Sequence, residues 1–573
     1  MNTDPLIRSI RDAVIGSREI VKGPFGLRPV VYADYTASGR ALDFIEDYIR
    51  DAVLPLYANT HTESSGTGLQ TTRFREDSRA IIRDCMGAND EEHVVLFAGS
   101  GSTGAIDRMI GCLGLRIPSE LEDRHALSDH IPEEERPVVF IGPFEHHSNE
   151  IPWRESIADV VVIREDGDGH IDLDLLREEL ERYAGRPLRI GSFSAASNVT
   201  GIISDTAAIS TLLHEHGALA FWDFAAAAPY VEIEMGSKAE GDLAFKDAVF
   251  VSPHKMIGGP GTPGVLLARR ELFSNRVPDV PGGGTVWYVN PESHNYLDDI
   301  EHREEGGTPA IVESIRAGLV FQLKDAVGVD AIRDLEEAFI REAIERWSAT
   351  PNIEILGNPA SHRLSIVSFV LRHGDHHLHH NFVVAVLSDL FGIQSRGGCS
   401  CAGPYGHRLL GIDIERSHEF EREIGRGCEG IKPGWVRVNF NYFIDRHVFE
   451  YIIEAVRLVA EHGWRLLPLY TFEPKTGLWR HRDGLAEPPM SLHDVSYGEG
   501  RMSYRPRRHE FAGEDLAAYL EESRSLLEAR IDAAPSCCDG LSDDFRHLQW
   551  FPLPEDVHDA ASSRPASFTV GPA

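Results

Sequence analysis

One lysine stands just after a short apolar run, where a reactive amine would be held in place. The run Ala248–Val251 predicts a buried strand, and Ser-Pro-His-Lys follows it, ending at Lys255. A glycine-rich turn comes next, and apart from Lys255 there is no lysine or arginine between Lys246 and Arg269. A primary amine fixed in this way can form a Schiff base with an aldehyde.

An aspartate ends another apolar run. Asp223 follows the run 218–222, and a carboxylate against an apolar strand is costly unless it faces a cation. A helix N-cap is the alternative role for this aspartate. A lysine for the Schiff base and a carboxylate for a protonated ring nitrogen are what pyridoxal 5'-phosphate requires. Lys255 and Asp223 together therefore predict that cofactor.

Three further strand ends carry polar residues of suitable types. The turn 99–104 opens a helical run and includes Ser102 and Thr103, which predicts phosphate donors, although an ordinary helix cap has the same pattern. His146 follows the run 138–141 and has the ring to stack on a planar cofactor, or else is a surface or metal histidine. Asn198 follows the run 188–193 and either bonds a ring substituent or makes a turn.

Alternating apolar runs and helical patterns must position these residues. The strand candidates are 94–97, 138–141, 160–163, 188–193, 218–222, 248–251 and 265–268, with helices between them at 173–183 and 206–216. Near-continuous apolar strands separated by helices predict an α/β fold, with a mostly parallel sheet covered on both faces. Ligands of such sheets bind beyond the carboxyl ends of the strands, where these polar residues fall.

The pattern divides the chain into four parts. Residues 1–30 are expected to form a helical segment that packs on the small domain, and 31–320 a large cofactor-binding domain. Residues 321–468 predict a smaller α/β domain with strands at 364–371 and 435–440, and 469–573 form an extension of unknown role. The polar tail from 560 is expected to be disordered.

Composition excludes several classes of partner. The 573-residue chain carries a net charge of -34, which argues against nucleic acid and anionic lipid. Apolar runs fall short of the roughly 18 residues that span a bilayer, and the first residues lack the pattern of a secretory signal. Seven cysteines in so long a chain do not suggest a disulfide framework, so a cytoplasmic location is expected.

These motifs resemble the class V aminotransferase branch of fold-type I pyridoxal phosphate enzymes, closest to the cysteine desulfurase and selenocysteine lyase family. The resemblance covers residues 30–465 approximately. It implies that Lys255 forms the Schiff base, Asp223 holds the ring nitrogen, His146 stacks on the ring and Asn198 bonds the ring. It also implies the three-layer fold of that class.

The resemblance assigns further roles. Ser102 and Thr103 match a phosphate turn, and Ser252 and His254 match phosphate ligands. Thr308, in Gly-Thr-Pro at 307–309, matches a threonine that reaches the phosphate from the partner subunit, which implies a homodimer with shared active sites.

The substrate side of the site is matched in the second domain. Cys401 falls on the mobile-loop cysteine. Arg437 matches the arginine that holds the substrate carboxylate, a task that suits a guanidinium fork. Arg396, in the loop that precedes Cys401, and Asn198 are expected to contact the substrate with it.

The sequence departs from the family pattern in four places. Ala226 stands where the family has a glutamine, and Cys399-Ser400 replaces His-His before the loop cysteine. The opening Asp-Asn-Ala-Ala-Thr becomes Asp-Tyr-Thr-Ala-Ser at 34–38. The last hundred residues have no recognised counterpart.

The resemblance implies a cysteine desulfurase. Lys255 would take the α-proton of cysteine with help from His146, and the Cys401 thiolate would accept the sulfur as a persulfide while alanine leaves. A sulfur-acceptor protein would follow. The alternatives are another reaction on an amino acid, namely an aminotransferase, an epimerase or a C–S or C–Se lyase, and a cofactor-free scaffold. The amino acid, the acceptor and the choice between Cys401 and Cys399 stay open.

Three other motifs are given structural interpretations. The histidine-rich stretch 373–380 is predicted to be a solvated helix N-terminus rather than a zinc site. The stretch 166–170 resembles a calcium loop but lacks its pattern, so a strand–helix connection is expected. Cys537 and Cys538 are expected to be exposed, inert thiols, with sulfur acceptance from Cys401 as the alternative.

Overall fold

The computed structural model describes residues 4–60, 62–237, 241–484, 490–498, 500–504, 515–529 and 541–556. Its strands are β1 (Ile20–Gly23), β2 (Gly26–Pro29), β3 (Val31–Tyr32), β4 (His93–Ala98), β5 (Val138–Ile141), β6 (Asp159–Val162), β7 (Arg189–Ser194), β8 (Leu219–Asp223), β9 (Ala248–Val251), β10 (Gly264–Arg269), β11 (Val286–Val289), β12 (His294–Tyr296), β13 (Ile353–Ile355), β14 (Ile366–His373), β15 (His376–His377), β16 (Ile393–Gln394), β17 (Arg396–Gly398), β18 (Trp435–Asn439), β19 (Tyr470–Glu473) and β20 (Leu478–His481).

The α-helices are α1 (Pro5–Ala13), α2 (Asp43–Tyr48), α3 (Gly66–Cys85), α4 (Gly101–Cys112), α5 (Ser119–His125), α6 (Ile151–Arg154), α7 (Leu173–Arg182), α8 (Thr206–Glu215), α9 (Ile300–Arg303), α10 (Ile311–Val327), α11 (Val329–Ser348), α12 (His380–Phe391), α13 (Gly403–Leu409), α14 (Ile414–Gly425), α15 (Arg446–His462), α16 (Leu516–Glu528) and α17 (Asp543–Leu548). Within the described residues, none of these helices is long and apolar enough to cross a membrane.

The large sheet has the strand order β4-β10-β9-β8-β7-β5-β6. All neighbours among β9, β8, β7, β5 and β6 pair in parallel, and β10 runs antiparallel between β4 and β9. The mostly parallel sheet predicted from the apolar runs is therefore confirmed. The strands β5 and β9 match the predicted runs, and the other five strands of this sheet differ from theirs by one residue at each end.

Alternate residues of this sheet pack into two separate cores. Phe140 and Trp222 belong to one apolar cluster, whereas Val139, Phe221 and Phe250 belong to the cluster on the other face. Successive side chains of a strand point to opposite faces, so both faces of the sheet must be covered. This explains why β5 and β9 read as continuous apolar runs in the sequence.

A second sheet joins β13, β14, β18 and β17 in antiparallel pairs. Its core includes residues of α11, α12 and α15, and also Val31 and Ala33 from near the start of the chain. Short β3 pairs in parallel with β16, which brings residues 31–34 beside this second sheet. On the N-terminal helix α1, the Nε of Arg11 donates to the carbonyl oxygen of Phe443 at 2.5 Å.

Several described parts of the C-terminal extension pack on the second sheet's core. Phe472 and Trp479 of the hairpin β19–β20, Tyr519 of α16 and Phe551 all belong to the same apolar cluster as Phe382 of α12. The extension is therefore part of the folded core, a role for which the sequence offered no prediction.

The prediction of a solvated terminus at 373–380 is wrong in part. His379 does cap α12, accepting a hydrogen bond from the amide of Asn381, but His379 and His380 are only 1% and 6% exposed. The ring of Trp550 stacks on that of His379 with centroids 5.2 Å apart. The histidines are buried because the extension covers them.

The other structural interpretations have different outcomes. Asp166 accepts hydrogen bonds from the amides of Asp168 and His170, both at 2.9 Å, in the turn between β6 and α7, which is the expected strand–helix connection. Among the described residues, no group of three or more His, Cys, Asp or Glu side chains is arranged to hold a metal ion. Cys537, Cys538 and the tail from 560 lie outside the described residues.

Candidate active site

A cavity of about 200 Å³ opens beyond the carboxyl ends of the parallel strands. Most of the residues singled out in the sequence line it: Ser102, Thr103, His146, Asn198, Asp223, Ser252, His254, Lys255, Arg396 and Arg437. Cys401 and Thr308 do not. These lining residues come from stretches more than 300 residues apart in the chain, so the fold alone brings them together.

Lys255 and Asp223 come from neighbouring strands of the large sheet. Asp223 is the last residue of β8 and is 3% exposed, and its Oδ1 accepts a hydrogen bond from the amide of Ala225 at 2.8 Å. Lys255 ends a single helical turn that follows β9. Burial lowers the pKa of Lys255 to about 8, against the opposing effect of the Asp223 carboxylate. A lysine in this position has a substantial neutral fraction near neutral pH.

The N-terminus of α4 forms a cradle of hydrogen-bond donors. The amide of Ser102 donates to Oγ of Ser252 at 2.8 Å, and the two hydroxyl oxygens lie 3.1 Å apart. Gly101 has a φ of 57°, and a Cβ there would lie 2.8 Å from Oγ of Ser252 and 2.9 Å from Cε1 of His254. Helix N-termini bind phosphate through such amides, and only glycine leaves this space open.

His146 is held as a neutral imidazole. Its Nδ1 accepts from the amide of Ser148 at 3.1 Å and lies 3.0 Å from the Ser148 hydroxyl, which in turn lies 2.6 Å from Oγ1 of Thr103. Burial, with the charge of Lys255 as the next contribution, lowers the pKa of His146 to about 3. With Nδ1 accepting, the ring proton resides on Nε2.

The two arginines in the cavity differ in their partners. Nη1 of Arg437 donates to the carbonyl oxygen of Asn198 at 3.0 Å, and Nη2 donates to Oδ1 of Asp34 at 2.7 Å. Arg437 is 3% exposed, whereas Arg396 is half-buried. Arg396 lies in β17, and no hydrogen bond or ion pair from the described part of the chain engages its guanidinium. Its guanidinium is therefore available to an anionic ligand.

The cysteine loop lies at the rim of this cavity. Ser400 lines the cavity, and its carbonyl oxygen accepts from Nδ2 of Asn198 at 2.8 Å. Cys401 is half-buried and Cys399 is exposed. Thr308 is also exposed, and its hydroxyl accepts from Nδ2 of Asn59 at 3.2 Å. The single chain thus brings neither Cys401 nor Thr308 into the wall of its own cavity.

The sequence interpretation missed several residues of this cavity. Thr36 and Ala37 line it, and Asp34 bonds Arg437, although the stretch 34–38 was noted only as a departure from the family pattern. Ser148 was part of the histidine motif but had no assigned role. The sequence feature that could have identified Asp34 and Thr36 is the similarity of the stretch 34–38 to a family motif. The residue types that differ from that motif obscured it.

The cavity suits a phosphorylated pyridine aldehyde. It combines the donors at α4, a buried carboxylate at Asp223 and the amine of Lys255. Four buried polar atoms of lining residues have no hydrogen-bond partner among the described residues: Oγ1 of Thr36, Oδ1 of Asn198, Oγ of Ser400 and Nε of Arg437. Buried polar atoms are normally satisfied, so a polar ligand is expected to complete this site.

The fold and cavity define a fold-type I enzyme of the pyridoxal phosphate class. Residues 31–416 match the family model Aminotransferase class-V. The chain belongs to that family, whose members are pyridoxal phosphate enzymes, and the predicted family, fold class and enzymatic nature are thereby confirmed.

Similar proteins agree with this assignment. A probable cysteine desulfurase of Staphylococcus aureus is 28% identical over 383 residues, covering 65% of this chain and 84% of the relative. One from Halobacterium salinarum is 26% identical over 413 residues, covering 71% and 90%. The chain is thus similar to proteins named cysteine desulfurases.

Solved structures show the same fold. The apo structure of a cysteine desulfurase from Thermococcus onnurineus NA1 matches with a TM-score of 0.63 and 22% identity, covering 80% of this chain and 100% of that chain. A cysteine desulfurase from Escherichia coli matches with a TM-score of 0.58 and 20% identity, covering 75% and 95%. This chain is therefore longer than either of these structures, which cover 80% and 75% of it.

Proposed function

We propose that this protein is a cysteine desulfurase-like enzyme that uses pyridoxal phosphate bound at Lys255. The observation that carries the proposal is the convergence of Lys255, Asp223 and Arg437 on one cavity. An amine, a carboxylate and a guanidinium are what a cofactor aldehyde, a ring nitrogen and an amino-acid carboxylate would each require. The names of the similar proteins favour cysteine as the substrate.

The cofactor would be held by residues of the large domain. Ser102, Thr103, Ser252 and His254 would bind the phosphate at the α4 cradle, and Asp223 would bond the protonated ring nitrogen. His146 would stack on the ring, with Asn198 beside it. When bound, pyridoxal phosphate would withdraw electrons from the Cα atom of an attached amino acid.

The chain's own residues would then move a proton and bind the substrate. Arg437 and Arg396 would hold the carboxylate, which directs the Cα–H bond of the amino acid toward the base. Lys255, whose pKa is lowered to about 8, would take that proton as a neutral amine. General bases of this kind contribute about 10²–10⁴-fold to rate.

Cys401 would receive the sulfur. Its thiolate attacks the substrate sulfur, the Cβ–S bond breaks, and that sulfur becomes the outer atom of a persulfide on Cys401. Alanine leaves after protonation of its carbon atoms, and no external oxidant is required. Because Cys401 does not line the cavity, the loop 399–402 must move for this step.

The position of the cysteine loop supports a second candidate function. Neither Cys399 nor Cys401 lines the cavity, so a reaction that needs only Lys255 fits the observed loop position. An aminotransferase, an epimerase or a C–S or C–Se lyase of the class V family is such an enzyme.

The assembly is also part of the proposal. Thr308 is exposed, as a residue that serves the cavity of a partner subunit would be in a single chain. We expect a homodimer with shared active sites, a sulfur-acceptor protein as partner and a cytoplasmic location.

The test begins with the purified full-length protein supplied with pyridoxal phosphate. We expect a visible absorbance band, a mass increase on Lys255 after borohydride reduction, and formation of alanine from L-cysteine. The variant Lys255→Ala should show no mass increase at this position. Its rate of alanine formation should fall by more than about 10³-fold.

The variant Cys401→Ser separates the two candidates. For a desulfurase it should retain the absorbance band but lose alanine formation, while Cys428→Ser, changed at a half-buried thiol away from the cavity, should behave as the parent. Alanine formation at the parent rate in Cys401→Ser would reject Cys401 as sulfur acceptor. Pyruvate or a racemised amino acid as product would favour the second candidate.

A further inference from the structure

Cys399 and Cys401 occupy the same tight turn. The amide of Ala402 donates to the carbonyl oxygen of Cys399 at 3.1 Å, which closes a turn over residues 399–402. Its two central residues, Ser400 and Cys401, have φ values of 50° and 57°. Positive φ at both central positions defines a turn that glycine and asparagine favour, and L-residues with longer side chains are uncommon there.

In the observed conformation, hydrogen bonds to the large domain hold the strained turn. The carbonyl oxygen of Ser400 accepts from Nδ2 of Asn198, and that of Cys401 accepts from the amide of His147, both at 2.8 Å. The amide of Gly403 donates to Nε2 of His147 at 3.1 Å. Strained backbone persists where the surroundings hold it, and it concentrates at functional sites.

The two thiols of this turn differ in exposure. Ser400, between them, is 6% exposed and lines the cavity, Cys401 is half-buried, and Cys399 is exposed to solvent. From the cavity to the surface, the residues of the turn therefore follow in the order Ser400, Cys401, Cys399. A sulfur accepted at Cys401 is poorly accessible to an external acceptor, whereas one at Cys399 is open to it.

We propose that Cys399 is the exit thiol, which takes the persulfide sulfur from Cys401 and presents it to the acceptor. This inference rests on the proposed function. The Cys399 thiolate attacks the outer sulfur of the Cys401 persulfide, a new S–S bond forms at Cys399, and the old bond to Cys401 breaks. Cys401 leaves as a thiolate ready for the next substrate, and neither an oxidant nor a reductant is consumed.

The turn brings the two cysteines within reach of each other. Two Cα–Cα steps folded into a turn leave the Cα atoms of residues i and i+2 about 5.5 Å apart. During the transfer the moving sulfur lies between the two Sγ atoms, which are then about two S–S bonds, or roughly 4 Å, apart. The Cα separation allows this arrangement. It also lies within the range of disulfides, so a disulfide between Cys399 and Cys401 is the competing outcome.

The experiment follows one turnover of the full-length protein loaded with pyridoxal phosphate. One equivalent of L-cysteine is added, thiols and persulfides are alkylated at increasing times, and the protein is digested with trypsin. Arg396 and Arg408 place both thiols on the peptide 397–408, and fragment ions between positions 399 and 401 locate the extra sulfur. Alanine is measured in the same samples.

In the parent, we expect the extra sulfur at Cys401 first and at Cys399 afterwards. In Cys399→Ser, and equally in Cys399→Ala, it should stay at Cys401 after one equivalent of alanine has formed. Delivery to added dithiothreitol should then slow by about ten-fold or more, because the half-buried sulfur is less accessible. Cys428→Ser should match the parent, and thermal melting verifies that each variant is folded.

Three results would overturn the relay. The first is sulfur that stays on Cys401 in the parent while Cys399→Ser delivers it at the parent rate. The second is a disulfide between Cys399 and Cys401 with release of sulfide, and the third is direct transfer from Cys401 to Cys537 or Cys538. If the parent forms no alanine and no persulfide, the proposed function itself fails, and the relay fails with it.

Discussion

Nη2 of Arg437 donates a hydrogen bond to Oδ1 of Asp34 at 2.7 Å, across a sequence separation of 403 residues. The arginine proposed to hold the substrate carboxylate therefore already faces a carboxylate of the protein. Burial lowers the pKa of Arg437, and Asp34 is the main opposing influence. A substrate carboxylate must compete with Asp34 for this guanidinium.

The variant Asp34→Asn tests that competition. Removing one charge of a buried pair leaves the other charge uncompensated. We therefore expect the free energy of unfolding, measured without an added amino acid, to fall by about 2 kcal/mol. The loss is smaller than for a fully buried pair because Asp34 is partly exposed. Binding of L-alanine should become tighter and should restore part of the stability. Urea unfolding with and without alanine measures both effects.

A surface ion pair provides the control for this change. Asp47 and Arg50 form an exposed pair, and Asp47→Asn should leave the free energy of unfolding almost unchanged with or without alanine. Weaker binding of alanine by Asp34→Asn, at unchanged stability, would show that Asp34 orients Arg437 rather than competing for it.

The lowered pKa of Lys255 predicts how cofactor uptake depends on pH. Only the neutral amine attacks an aldehyde, and burial lowers the pKa of Lys255 from 10.5 to about 8. The rate of pyridoxal phosphate uptake by the cofactor-free protein should therefore rise with pH, with a midpoint near 8. Stopped-flow absorbance across a pH series measures this midpoint.

The variant Asp223→Asn identifies one cause of that pKa. The Asp223 carboxylate raises the pKa of Lys255, so its removal should shift the midpoint below that of the parent. In this variant only the rate of pyridoxal phosphate uptake is compared with the parent. The affinity is not compared, since Asp223 is also proposed to bond the cofactor ring. A midpoint near 10 in the parent would contradict the burial of the amine.

Gly101 should be necessary for tight cofactor binding at the α4 cradle, which is proposed to hold the phosphate. In Gly101→Ala the new methyl group would lie 2.8 Å from Oγ of Ser252, at a φ of 57° that L-residues avoid. Left-handed backbone costs an L-residue roughly 1–2 kcal/mol, so together with the clash we expect about ten-fold or more weaker binding of pyridoxal phosphate.

A titration of cofactor-free protein with pyridoxal phosphate measures this loss. Gly185→Ala is the matched control, because its Cβ would meet nothing within 4 Å and its backbone is not left-handed. Equal affinities of the two variants would show that the α4 turn does not hold the phosphate.

Several parts of the fold were predictable because their signals are local. The continuous apolar runs of β5 and β9 mark strands buried on both faces, and the polar residues directly after such strands necessarily meet at one edge of the sheet. Lys255 and Asp223 were found in this way. The Asp34–Arg437 pair was not, because a contact between residues so far apart leaves no local pattern.

The C-terminal extension shows the same limit. The strands β19 and β20 alternate buried and exposed residues, but so short a pattern does not indicate which core Trp479 completes. Phe551 lies among prolines without helical or strand periodicity. The burial of His379 depends on those residues. Polar side chains near a helix start ordinarily indicate solvent exposure, and only distant packing reverses that expectation.

Phe551 tests whether the extension stabilises the second domain. Its side chain is fully buried. The centroid of its ring lies 4.5 Å from that of His379 and 5.3 Å from that of Phe472. Phe551→Ala should lower the free energy of unfolding by about 3–5 kcal/mol, because it removes a large buried ring and leaves a cavity. Urea unfolding measures the loss, and Leu492→Ala, at a side chain that is 90% exposed, should stay within about 0.5 kcal/mol of the parent. An unchanged unfolding midpoint in Phe551→Ala would mean that the extension adds no stability to the core it covers.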